Sequence, residues 1–153
     1  PVPFPMFELP GNAETMPLEV TYLDVRGQMQ GPFKLIFNPA TALIEGQKNI
    51  LNQFSNAWIG YRLYDGKLLA YFTHLSSYKC AIEKVEYAVD SDMPDKIFKL
   101  DKCDPNNPFN VSASSDLSKI LITLPKKSKY MTVRLTFKDG TQTDVKRFDV
   151  VTN

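Results

Sequence analysis

The chain has 153 residues, the size of one ordinary domain, and its 18 basic and 17 acidic side chains leave a net charge of +1. So even a balance excludes the basic excess of a nucleic-acid binder, and no stretch approaches the roughly 18 consecutive apolar residues of a membrane helix. Ten Phe, seven Tyr and eleven Pro argue against a helical bundle and for a mostly β fold.

Residues 1–16 open with four prolines (Pro1, Pro3, Pro5 and Pro10) among Phe4, Met6, Phe7 and Leu9. That composition predicts an extended lead-in or a linker from a preceding domain. The first residue is Pro1, so a processed chain or a piece of a longer one is expected. Residues 17–153 are read as a single domain. In it, residues 18–25 (LEVTYLDV) alternate as a strand, residues 26–31 form a turn, and residues 33–37 form a second strand ended by Asn38-Pro39. Residues 40–54 are the one predicted helix, because Leu43, Ile44, Gln47, Ile50, Leu51 and Phe54 fall on one stripe.

The strand pattern then returns over residues 57–63 and 68–73, joined by Tyr64-Asp65-Gly66-Lys67. Asp-Gly supplies the positive φ angles of a type I′ hairpin turn. Two alternating runs follow, residues 82–89 and 96–100, around the turn-forming cluster at residues 90–95. Pairing them about a centre between Ser91 and Asp92 sets Val85 opposite Phe98 and Cys80 opposite Cys103. One register therefore matches two apolar residues and joins two thiols, which predicts a disulfide and an extracytoplasmic, periplasmic or secreted, location. Residues 104–118 (DPNNPFNVSASSDLS) read as a long polar loop holding the glycosylation sequon Asn110-Val111-Ser112. Residues 119–124, 129–137 and 142–151 complete about nine strands, with a second Asp-Gly hairpin at residues 138–141. The fold expected is an antiparallel β-sandwich with one short helix. The basic run Lys126-Lys127-Ser128-Lys129 reads as a solvated turn between two of its strands.

Met131-Thr132-Val133-Arg134-Leu135-Thr136-Phe137-Lys138-Asp139-Gly140-Thr141, followed by residues 145–148, resembles the closing strands of immunoglobulin-like or fibronectin-III-like accessory domains of bacterial proteins. Residues 17–39 are similar to the first two strands of such domains. The resemblance implies a sandwich beside a catalytic or translocated neighbour. The chain departs from the immunoglobulin pattern, because both cysteines follow Trp58 and the helix at residues 40–54 is an addition.

Little in the sequence points to catalysis. His74 is the only histidine, and Ser76 or Ser77 beside it would be the nucleophile of a hydrolase. No GxSxG elbow supports that arrangement, and a histidine bonding a loop carbonyl at a strand end is the plainer expectation. Glu83 and Glu86 fall on opposite faces of a strand and make poor partners for glycoside hydrolysis. No GxGxxG or GxxxxGK loop cradles a phosphate. Two cysteines and one histidine fall short of a closed zinc site. Asp90, Asp92 and Asp95 crowd one turn, and calcium is the cation such a cluster would take, although aspartates also cap turns. Trp58, Tyr61, Tyr64 and Tyr71 surround one hairpin and form the candidate ligand surface. The function expected is a non-catalytic interaction or accessory domain that binds a protein partner or neighbouring domain through loops or a sheet edge. Carbohydrate binding by the aromatic hairpin around Tyr64 is the alternative, and no cofactor is expected apart from calcium.

Overall fold

The computed structural model describes Leu9 and residues 13–111 and 116–151. Most of the proline-rich lead-in and Ser112 of the sequon lie outside the described residues. Among the described residues the fold is mostly β, with nine strands in three antiparallel sheets and one long helix. None of the helices is long and apolar enough to cross a membrane.

Strands β1 (Met16–Leu23) and β2 (Met29–Phe37) form a two-stranded sheet of their own. β1 has the predicted length but begins two residues earlier, and β2 is longer than the sequence pattern suggested, because the connecting turn falls at residues 24–28. There Asp24 accepts the backbone N–H groups of Arg26 and Gln28 at 2.8 and 2.9 Å, a side-chain turn that tolerates Gly27 at φ +75°.

Helix α1 (Pro39–Gln53) lies within a residue of its predicted span. Asn38 caps it by accepting the N–H of Thr41 at 3.2 Å, and Pro39 takes the first position, where no N–H is needed. Its inner face buries Gln47 and Leu51, whereas Phe54 stays half exposed. A 3-10 turn at Ser55–Ala57 follows and carries Trp58 inward, so β3 starts only at Gly60 (Gly60–Tyr64) and not at residue 57 as expected.

β3 pairs with β4 (Lys67–Tyr71) across a turn with Asp65 at φ 47° and Gly66 at φ 70°, the positive angles that Asp-Gly predicts. β4 stops at Tyr71, and α2 (Thr73–Ser77) replaces the expected end of that strand. The turn of helix lets Phe72 and Leu75, both fully buried, reach one core. β5 (Ile82–Val89) and β6 (Lys96–Phe98) pair with Val85 opposite Phe98, the predicted register, and Cys80 and Cys103 are bonded.

β7 (Leu121–Leu124) adds to β4, giving the order β3-β4-β7. A turn over residues 125–128 holds the basic run and leads to β8 (Tyr130–Phe137), which pairs with β5 and with β9 (Lys146–Asp149) to give β6-β5-β8-β9. β9 is shorter than expected. The second Asp-Gly turn closes a three-residue loop in which Phe137 bonds Thr141 and Gly140 alone takes a positive φ of 85°. The two larger sheets share one core. Leu68, Ala70 and Leu124 enter it from one sheet, Val85, Phe98, Val133 and Leu135 from the other, and Leu51, Trp58 and Phe72 close it. No residue of β1 or β2 belongs to that core.

Candidate functional site

The four aromatics predicted to form one ligand surface are divided between core and surface. Trp58 is 0% exposed and donates its indole N–H to the Leu51 carbonyl at 2.9 Å, which corrects its expected place on a binding surface. Tyr61 donates its hydroxyl to the Phe148 carbonyl at 2.7 Å, and burial pushes its pKa up to about 12. Tyr64 is 60% exposed, with the Arg62 guanidinium 5.4 Å from its ring centre. Register explains the division. Gly60 faces Tyr71, Arg62 faces Leu69 and Tyr64 faces Lys67 on the outer side, whereas Tyr61 faces Ala70 on the inner side. Only Tyr64 and Tyr71 remain on one face, a hairpin's length apart.

The aspartates serve the turn. Asp90 sits at φ 51° and accepts the N–H groups of Lys129 and Tyr130 at 2.7 and 3.1 Å. Asp92 accepts the Tyr130 hydroxyl at 3.1 Å, and Asp95 gives its backbone N–H to Tyr87. Among the described residues no three His, Cys, Asp or Glu side chains converge as metal ligands.

His74 lies on α2 and not at a strand end. Burial lowers its pKa, and among the described residues its Nε2 has no hydrogen-bond partner. The two candidate nucleophiles do not engage it. Ser76 donates to the Lys119 carbonyl at 3.1 Å and Ser77 to the Thr73 carbonyl at 2.9 Å. The nearest aromatic is Tyr78, edge-on with its ring centre 5.0 Å away.

A cleft of about 640 Å³ opens between residues 55–61 and β9. Its cations are already held: Lys146 donates to Ser55 Oγ at 2.6 Å, and Arg147 pairs with Asp149 at 2.9 Å and stacks 3.6 Å from the Tyr130 ring centre.

Among the described residues, the β1–β2 arm exposes an apolar face. The pairs Met16/Phe37, Leu18/Leu35 and Val20/Phe33 occupy one face, and Tyr22 extends it by stacking on Phe33 at 5.9 Å. Val20, Tyr22, Phe33 and Leu35 are 43, 52, 48 and 54% exposed. The opposite face carries Pro17/Ile36 and the pair Glu19/Lys34, whose charges lie 3.6 Å apart. No protein-family model, curated protein or solved structure matches this chain. The geometry of the arm is therefore the main guide to function. The alternation that makes it was legible in the sequence. That no other strand among the described residues packs on it was not, because a strand's partner is a tertiary property.

Proposed function

We propose that this chain is a non-catalytic interaction domain of an extracytoplasmic protein, and that it binds a protein partner through the β1–β2 arm. The observation that carries the reading is the apolar face of Val20, Tyr22, Phe33 and Leu35, left half exposed on a ribbon that contributes nothing to the core. Together those side chains expose on the order of a few hundred Å², the scale of the largest patch on an ordinary monomer, which often serves a function. The Cys80–Cys103 bond supports an oxidising compartment. Tyr64 stands alone, without Trp58 or Tyr61 beside it, which weighs against the aromatic hairpin as a sugar platform.

The test is a variant with Val20, Tyr22, Phe33 and Leu35 all replaced by Ser or Thr, compared with the unaltered chain by binding of an apolar fluorescent dye and by melting temperature. An interaction face predicts that dye binding disappears while the melting temperature stays. A fall of many degrees would make the face part of the core and end the reading.

A further inference from the structure

We propose that the arm joins a second copy of this chain, edge to edge through β1, into a four-stranded sheet. The proposal rests on the arm being an interaction surface and names its occupant. An isolated two-stranded ribbon is marginal in water, and an apolar face becomes stable with three or more strands. The two outer edges of this ribbon are not equivalent. β2 is interrupted by Pro32, which has no N–H, and by a bulge where the register slips between Val20/Phe33 and Tyr22/Gln30. At that bulge Gly31 holds φ +104°. β1 carries a proline only at residue 17, near its start, so its outer row of backbone donors and acceptors is unbroken from residue 18 to residue 23.

The strand that fits this edge is one with alternating apolar residues, no proline and no charge that repels Glu19. Residues 18–23 of β1 meet that description, with Pro17 just before them. Antiparallel pairing of two copies centred on Val20 sets Val20 opposite Val20, and Leu18 opposite Tyr22 of the second copy. Glu19 then faces Thr21, so no like charges oppose each other. Centring on Thr21 sets Leu18 against Asp24 and Glu19 against Leu23. Centring between residues turns one arm's apolar face to the other side of the sheet. Of the registers that keep both apolar faces on one side, the Val20 one sets neither Leu18 nor Glu19 against an unfavourable partner, whereas the Thr21 one does. The shared edge is about 20 Å long, which puts the joint area at the low end of specific interfaces, below roughly 1,200 Å². The dimer is accordingly concentration-dependent and not obligate, with the two bodies at opposite ends of the sheet.

The experiment is sedimentation of the full chain from about 10 µM to about 1 mM, the range in which so small an interface assembles. Oxidation of Val20→Cys is run beside it, with Lys34→Cys as control. A doubling of mass with concentration and a disulfide dimer for Val20→Cys alone are expected. Thr21→Glu, which sets a second carboxylate against Glu19 of the second copy and leaves the apolar face intact, should abolish the dimer and keep dye binding. A chain that stays monomeric throughout overturns the proposal, as does a dimer that cross-links through Lys34→Cys and not through Val20→Cys. A monomer that still binds dye leaves the interaction reading standing with a different partner. A monomer that binds no dye and protects the amides of residues 16–37 from exchange overturns both.

Discussion

Trp58 and Tyr64 lie six positions apart, were predicted to share a surface, and end in opposite environments. Local pattern marked both as aromatic residues of a hairpin. The 3-10 turn at Ser55–Ala57 and the parity of β3 decided which was buried, and neither is visible in composition. Trp58→Ala should therefore destabilise the fold by about 3–5 kcal/mol in urea unfolding, through the cavity and the lost bond to Leu51. Tyr64→Ala should stay within about 0.5 kcal/mol, since its ring is mostly exposed and lies against Arg62 on the surface. His74 gives a pH prediction. Burial depresses its folded pKa below 6.5, while the unfolded chain protonates near that value. Between the two values the unfolded state binds more protons, so stability falls as pH drops through that window. The chain has no other histidine, and the carboxylates of Glu86 and Asp139, held low by Arg134 and Lys48, act in the acid range below their ordinary values. The melting temperature should therefore decline from about pH 7.5 to about pH 5.5, and His74→Phe should flatten that decline. A slope that persists in the variant would assign it to another group.

Hairpins were the most legible elements, because their register is local. The β5–β6 pairing followed from two facing runs and two cysteines, and the bond and the Val85/Phe98 pair both fall where that register put them. Its 23-residue separation makes the bond worth about 3 kcal/mol in the chain-entropy model, so unfolding in urea with and without reductant should differ by that amount. α2 was illegible because five residues hold too little periodicity, and burial of Leu75 against the core outweighs their weak helix preference. The β1–β2 arm lies between these cases. Its alternation was readable, but the bulge at Gly31 was not. A Cβ at Gly31 would lie 2.6 Å from the Val20 carbonyl oxygen, at a φ of +104° that side chains avoid. Gly31→Ala should therefore loosen the arm alone, speeding amide exchange over residues 16–37 while leaving exchange in β5 and β8 unchanged. Faster exchange in β5 would show that the arm supports the body.

At the scale of the whole molecule the nine strands were countable from the sequence, but their assembly into three sheets was not. β4 meets β7 across more than forty intervening residues, and β8 sits between β5 and β9, pairings that no local signal encodes. The same assembly leaves the arm outside. The core draws on residues from Leu51 to Phe148, with Ile44 packed against it, and none from β1 or β2. Hydrophobic stabilisation follows the apolar area removed from water, and a ribbon whose side chains stay half exposed removes little. Its strands pair with each other, so their hydrogen bonds leave together when the arm is removed. Replacing residues 17–36 by a short glycine turn between Met16 and Phe37, which already face each other, therefore keeps every core contact and the Asn38 cap of α1. The expected cost is within about 0.5 kcal/mol, or roughly 1–2 °C in melting temperature for a chain of this size. Dye binding and concentration-dependent association should vanish from the same variant. A shortened chain that melts many degrees lower would place the arm's apolar face in the folding core, and one that still associates would move the interaction surface to the body.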